Sequence, residues 1–427
     1  MTPPDRSRKR NHFIFIVALV LAAIIVAGAI FDRKTRPVLI SGPMVQIPEP
    51  DKLAVIWNTK AFFHHGAVRL AGPDGFKIVS PARIREDGGY EATFKGLAPI
   101  GKYTYTVLSY AFLGREIELT EPLPVYMPAP RGRPMRFAAL GDSGMGNHAQ
   151  AALAEQITRS HPDVVIHVGD LVYPSGARED YLIHFFQPNE ALIRFAPFMP
   201  VLGNHDAFTE NGKPLLDTFD LPRNGPPGIE PGRCYWFDFG DARFVALDSN
   251  RVGNVKGAVL TKKRMKTVIA PWVRDVLTNC DARWKFVYFH HPFYTGSTHP
   301  AKGGAYMKEA YVDIFENCGV DIVFVGHNHL YERTAPIRGD RIVEDGSGVV
   351  YITTGAGGAP RYPEDLPPPD YIRVYYDQEL SFTQVDLTGN RLELMQINPQ
   401  GNILDHYVLE KPPAAASQPA PRDSKPE

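Results

Sequence analysis

The stretch Met135-Arg136-Phe137-Ala138-Ala139-Leu140-Gly141-Asp142-Ser143-Gly144 decides how this chain of 427 residues is read. A short, almost wholly apolar run ends on a glycine, and a carboxylate follows at once. Such a run reads as a buried strand. Glycine past a strand end lets the backbone turn without Cβ crowding, so the next side chain is presented to whatever lies beyond the sheet. The construction recurs. Val164 to Val168 leads into Gly169-Asp170-Leu171-Val172-Tyr173, and Met199 to Leu202 into Gly203-Asn204-His205-Asp206. Lys285 to Phe289 leads into His290-His291, and Asp321 to Val325 into Gly326-His327-Asn328-His329. Phe244 to Leu247 and Val349 to Thr354 are further strands, and Gln150 to Ser160 and Tyr181 to Phe195 have helical patterns. Strands alternating with crossovers predict a layered α/β domain. Ligands in open α/β sheets bind beyond the carboxyl ends of the strands. The five clusters are therefore expected to converge.

Asp and His offer hard oxygen and borderline nitrogen ligands, and Asn adds a neutral oxygen. The set is too rich for one tetrahedral zinc and suits two cations sharing a carboxylate. Two metals about 3.5–4 Å apart can clamp the attacking and leaving oxygens of an in-line phosphoryl displacement. Each cluster alone is weak: a lone Gly-Asp is usually a turn or a helix N-cap, and a lone Gly-Asn-His a turn. The ordered set of five carries the inference. Around it, Asn147 and His148 read as an exposed polar turn. His291 is expected to point away from His290 by strand alternation and to be structural. Gly355-Ala356-Gly357-Gly358 reads as a tight turn, though it could bring backbone close to the metal loops. His64 and His65 read as surface residues.

Outward from this region, Pro122 to Pro134 is a proline-rich hinge. Residues 45–128 carry short β-type runs, including Leu53 to Trp57, Tyr90 to Phe94 and a Tyr/Thr alternation with Tyr103 and Tyr105 on one face; they read as a small β-sandwich. Residues 135–410 form the α/β domain, closing in an antiparallel meander over Glu379 to Leu387, Arg391 to Asn398 and Ile403 to Leu409. Residues 411–427 are Ala/Pro/Ser/Lys-rich and read as a disordered tail. Before the sandwich lie a basic tail over 1–12, an apolar run over 13–31 and a linker over 32–44. Arg6, Arg8, Lys9 and Arg10 precede the run from Phe13 to Phe31, which is long enough to cross the roughly 30 Å hydrocarbon core of a membrane. The basic cluster should stay in the cytoplasm and the rest lie outside, periplasmic or extracellular. A cleaved signal peptide is the alternative, since Ala27-Gly28-Ala29 resembles a cleavage site, and the chain would then be secreted. Both export the remainder. The net charge of -1 gives no general attraction to nucleic acid, and none is expected as a partner. Three scattered cysteines, Cys234, Cys280 and Cys318, exclude a CxxC zinc site and fit free thiols, with one disulfide as the alternative.

The order Gly-Asp-x-Gly, Gly-Asp-x-x-Tyr, Gly-Asn-His-Asp, Val-x-x-His, Gly-His-x-His, continuing into Tyr331-Glu332-Arg333, resembles the purple acid phosphatase branch of the calcineurin-like metallophosphoesterases. The resemblance covers roughly 135–410. It implies two mixed β-sheets flanked by helices, and the sandwich in front, which resembles fibronectin III, looks like the family's N-terminal domain; the N-terminal helix precedes both. It implies that Asp142, Tyr173 and His329 hold one metal, that Asn204, His290 and His327 hold the other, and that Asp170 bridges them. The wider superfamily has Asp-x-His in the first motif, whereas this chain has Gly144 there; Tyr173 can supply the missing ligand. A phenolate favours Fe(III), and Zn, Mn or Fe is implied as the divalent partner. A metal-activated hydroxide would then attack phosphorus in line. His205 is expected to contact phosphate or protonate the leaving group, with Asp206 orienting it, and His299 to contact substrate. The expected substrate is a phosphorylated small molecule. A phosphodiesterase or nucleotide pyrophosphatase is the alternative enzyme, and a non-catalytic surface protein the alternative of another class. Substrate choice would lie in the loops Thr209 to Gly232 and Asn250 to Val259.

Overall fold

The structure is a computed structural model that describes residues 6–34, 37–60, 65–99, 102–110, 114–250, 261–299, 304–361 and 367–413. His64, the loop from 251 to 260 and the tail from 414 lie outside the described residues.

The strands Met135–Leu140, Val164–His167, Ile322–Val325 and Val350–Thr354 are buried along nearly their whole length. Covered on both faces, they read as continuous apolar runs and not as alternation. The meander strand Arg391–Ile397 alternates, because one of its faces is more exposed. Two mixed sheets result. In the first, of six strands, Phe198–Pro200, Val164–His167 and Met135–Leu140 run parallel, and Phe382–Thr388, Arg391–Ile397 and Ile403–Glu410 continue it antiparallel. The second, of seven strands, runs Tyr235–Phe239, Ala242–Ala246, Trp284–Tyr288, Ile322–Val325, Val350–Thr354, Tyr331–Thr334, Ile372–Tyr376, and its middle four strands are parallel. The sheets meet through Phe137, whose ring packs edge-on against Phe244, Phe286 and Phe324 at 5.1–5.7 Å between centroids. Such pairs add about 0.5–1.5 kcal/mol each beyond area burial. The expected layered fold with mixed sheets is what forms.

The helix expected at Gln150 to Ser160 spans His148–Ser160. Asn147 caps it, its Oδ1 accepting the Gln150 N–H at 2.9 Å. The helix expected over Tyr181 to Phe195 is broken instead. A wide turn at Leu182–Phe186 closes with Gln187 N–H on the Leu182 carbonyl, and a short helix follows at Glu190–Ile193. Pro188 lies between them and cannot donate to a continuous ladder.

The all-β region pairs Val38–Glu49, Lys52–Lys60, Tyr90–Phe94 and Arg83–Ile84 in one sheet, and Lys77–Pro81, His65–Ala71, Lys102–Tyr110 and Glu116–Glu118 in another, with Leu123–Tyr126 also on Lys102–Tyr110. Tyr103 and Tyr105 both enter its core. His65 is exposed. The region docks on the α/β domain: Gln46 Nε2 donates to the Phe198 carbonyl at 3.1 Å and Tyr105 OH to the Arg194 carbonyl at 2.8 Å. Met44 and Ile56 join the α/β core. All three cysteines are free thiols; Cys234 is buried and the other two are partly buried.

At the N-terminus one helix spans Arg6–Lys34, long and apolar enough to cross a membrane, and its side chains from Asn11 to Ala27 are exposed. A core helix would bury a face, so a membrane anchor and a signal sequence are the readings that remain.

Candidate metal centre

The parallel strands of both sheets end at one edge, and their loops are stitched together there. Gly141 N–H donates to the Thr354 carbonyl at 2.8 Å, Asp142 N–H to Gly169 at 2.9 Å, and Gly326 N–H to His290 at 2.9 Å. Asp142, Asp170 and His327 sit in the left-handed region, at φ 56°, 55° and 70°. Non-glycine residues adopt this conformation rarely, mostly where surrounding contacts enforce it, and often at functional sites. The glycines allow loop contact. A Cβ at Gly203 would lie 2.0 Å from an Asp170 oxygen, and one at Gly144 would lie 2.0 Å from the Leu171 carbonyl. The second distance gives a physical reason why no side chain replaces the histidine missing from the first motif.

The seven residues expected as metal ligands come together. Tyr173 OH lies 3.1 Å from Asp170 Oδ2, 3.3 Å from Asp142 Oδ1 and 3.1 Å from His329 Nε2. Asn204 Oδ1 lies 3.0 Å from His290 Nε2 and 2.9 Å from His327 Nδ1, and His290 Nε2 is 3.3 Å from Asp170. Asp142, Asp170 and His290 form a fully buried group with ligand atoms within 4.8 Å of one another. Asp142 also accepts the His327 N–H at 2.9 Å.

This donor set fits cations. One phenolic hydrogen cannot serve three acceptors, so Tyr173 sits among lone pairs that want a positive charge. Two imidazoles are turned to match. His290 Nδ1 donates to the Val168 carbonyl at 2.9 Å and His329 Nδ1 to the Pro360 carbonyl at 2.6 Å, leaving each Nε2 lone pair facing the cluster. Burial opposes a charged His290, but the Asp170 and Asp142 carboxylates raise its pKa to about 9. Burial and the neighbouring Asp170 charge push Asp142 well above the usual carboxylate range. Burial opposes ionisation of Asp170 too, yet the His290 charge outweighs it and holds Asp170 low. Burial and both carboxylates raise Tyr173 well above an ordinary phenol.

The other expected residues divide. His205 stands at the rim, its ring 4.4 Å from that of Tyr173; its Nδ1 is held by the Pro174 carbonyl at 2.6 Å, and its Nε2 is 4.0 Å from Asp170. His299 is exposed, with its ring 5.6 Å from that of His327. Asp206 does not reach the His205 ring as expected. Its carboxylate accepts N–H groups of Gly203, Leu171 and Val172 at 2.9–3.2 Å, joining the second and third loops from below. Burial, then the Asp170 charge, raises its pKa to about 7. His291 also departs from expectation. The strand ends at Tyr288, so alternation no longer governs residue 291, and its ring packs 4.9 Å from His290 and 4.8 Å from His327. The His-His pair just past a strand end was the signal that could have placed it. Gly355 to Gly358 is more than a turn: Gly357 N–H donates to Gly141 O at 3.0 Å and Ala359 N–H to Asp142 O at 2.8 Å, bracing the first loop. The sequence reading missed His184, whose Nδ1 holds the Tyr173 carbonyl at 2.7 Å.

Residues 135–331, the segment holding all five clusters, match the model of the calcineurin-like phosphoesterase family. The chain is also similar to purple acid phosphatases, as the motif order implied. It is 27% identical to purple acid phosphatase 23 of Arabidopsis thaliana over 295 residues, 62% of this chain and 61% of that protein. It is 25% identical to acid phosphatase type 7 of Mus musculus over 417 residues, 85% of this chain and 89% of that one. The fold matches purple acid phosphatase PPD1 from yellow lupin seeds, with a TM-score of 0.73 at 18% identity over 88% of this chain and 74% of that one.

Proposed function

We propose that this chain is a dinuclear-metal phosphomonoesterase, acid phosphatase-like, anchored with its catalytic domain on the extracytoplasmic side of a membrane. The observation that carries the proposal is the convergence of Asp142, Asp170, Tyr173, Asn204, His290, His327 and His329 from five separate loops. In this reading Asp142, Tyr173 and His329 would hold Fe(III), Asn204, His290 and His327 would hold Zn, Mn or divalent Fe, and Asp170 would serve both. The names of the mouse and Arabidopsis relatives support phosphatase activity, and Arg6, Arg8, Lys9 and Arg10 at the start of the apolar helix support the orientation.

When bound, the cations supply Lewis acidity that lowers the pKa of water and offsets phosphoryl charge. The chain's own residues do the rest. His205, with Nδ1 fixed by Pro174, presents Nε2 at the rim to contact phosphate or to protonate the leaving oxygen. His299 offers a further contact beside His327. Asp206 acts as a positioning residue through the loops it ties.

Metal analysis, a visible spectrum and turnover of p-nitrophenyl phosphate against its bis-ester test the proposal together. The expected result is two metals per chain, a visible band that Tyr173→Phe removes, and faster monoester turnover. Asp170→Asn is expected to keep the fold while lowering turnover at least about a hundredfold. Full activity in Asp170→Asn, or faster diester turnover by the wild type, would overturn the corresponding assignment.

A further inference from the structure

We infer that His291 is a further substrate-contacting residue, an N–H donor to a phosphoryl oxygen. The inference rests on the phosphoesterase reading above and adds a residue to it.

The argument is a count of hydrogens. Ser249 is buried, and its Oγ lies 3.2 Å from the His290 backbone nitrogen and 3.1 Å from that of His291. Both N–H groups can only donate, so they fill the two lone pairs of the hydroxyl. The single hydroxyl hydrogen then goes to the third partner, His291 Nδ1, at 2.9 Å. Nδ1 is thereby an acceptor, and in a neutral ring the hydrogen sits on Nε2. The opposite tautomer would place two hydrogens between Nδ1 and an oxygen whose lone pairs are already taken.

Its neighbours hold the reverse arrangement. His290 and His329 each give the Nδ1 hydrogen to a backbone carbonyl, which turns Nε2 to the cluster as the atom that would meet a cation. A bare Nε2 suits a ligand or a base, whereas a protonated one suits an acceptor with no hydrogen of its own. His291 is nonetheless inside the cluster: one ring nitrogen from each of His290, His291 and His327 lies within 4.8 Å of the others. A phosphoryl oxygen brought to the metal pair is the acceptor this donor matches. A donor fixed in advance by Ser249 strengthens its bond as charge builds on that oxygen, without reorganisation. His291 thus contacts substrate beside His299, whose ring also packs against His327.

The test uses the metal-loaded chain with inorganic phosphate as probe, in calorimetric titration, alongside kcat/KM and metal content. His291→Asn keeps an oxygen for Ser249 and loses the distal donor; His291→Gln places an amide N–H near the distal position. His291→Asn should bind phosphate about ten- to a hundredfold more weakly, with a matching fall in kcat/KM and both metals retained. His291→Gln should recover most of the loss. Ser249→Ala, which frees the tautomer, should weaken phosphate binding several-fold and serves where His291→Asn fails to fold. Unchanged phosphate affinity in His291→Asn overturns the inference, and so does loss of a metal, which would make His291 a ligand. Absence of phosphoester turnover in the metal-loaded wild type overturns the phosphoesterase reading instead, since the phosphate-binding arm reads the His291 contact independently of turnover.

Discussion

At the scale of single residues, the centre depends on side chains that no ligand pattern singles out. Asp206 follows the Asn-His pair, yet its carboxylate works downward, holding N–H groups of Gly203, Leu171 and Val172. These groups belong to the loops that carry Asp170 and Asn204. Asp206→Ala leaves three buried donors to find other partners, at a cost of about 2–4 kcal/mol. Thermal unfolding should show the loss, and metal titration should show weaker binding in the same variant. A variant that loses activity with unchanged stability and metal content would instead return Asp206 to direct chemistry. His184 and Gln150 act on the same principle: His184 braces the Tyr173 carbonyl, and Gln150 Nε2 donates to the His184 carbonyl at 2.8 Å.

At the scale of elements, the strand Tyr331–Thr334 joins the two sheets to the substrate side. Tyr331 OH and the Arg333 guanidinium both bind Asp405, on the strand Ile403–Glu410 of the other sheet, at 2.7–3.0 Å. Glu332 accepts the Gly296 N–H at 2.7 Å and the Thr353 hydroxyl at 2.8 Å, pinning the loop that carries His299. The Tyr-Glu-Arg run thus serves as a brace. Burial opposes ionisation of Asp405, but the bonds from Arg333 and Tyr331 outweigh it and hold its pKa below the usual range. A depressed carboxylate pKa contributes stability above the unfolded value of about 4, and that stability is lost as pH falls through the lower folded value. Asp405→Asn should cost about 3 kcal/mol at neutral pH. It should also flatten the fall in Tm below about pH 4 relative to wild type, measured by thermal melts across an acid series. Parallel melting curves in the two proteins would show that the brace contributes little.

At the scale of the whole molecule, an exposed apolar helix precedes a folded body in which the all-β region shares hydrogen bonds and core residues with the α/β domain. Removal of residues 1–36 should therefore yield a protein that needs no detergent and keeps kcat/KM within about twofold, because the helix contributes no residue to the metal cluster. Fractionation of the full chain should place it with membranes. Mass measurement of the mature N-terminus separates the two fates of the helix: an intact terminus means an anchor, and a start near residue 30 means cleavage.

The apolar strands, the glycine turns after them and the N-terminal helix were legible in the sequence, because each rests on a local rule of burial, backbone freedom or length; the seven clustering residues were picked out by the resemblance of their motif order. Met135–Leu140 and Tyr90–Phe94 even match residue for residue. The strand Tyr331–Thr334, the break after Phe186, the downward turn of Asp206 and the inward turn of His291 were not legible. They are set by partners far along the chain: Asp405 for Tyr331 and Arg333, Leu171 and Val172 for Asp206, and Ser249 for His291. Local sequence determined which side chains could serve the centre. Only the tertiary structure decided which way the neighbouring ones face, because the hydrogen bonds that orient them come from loops that meet only once the two sheets have packed.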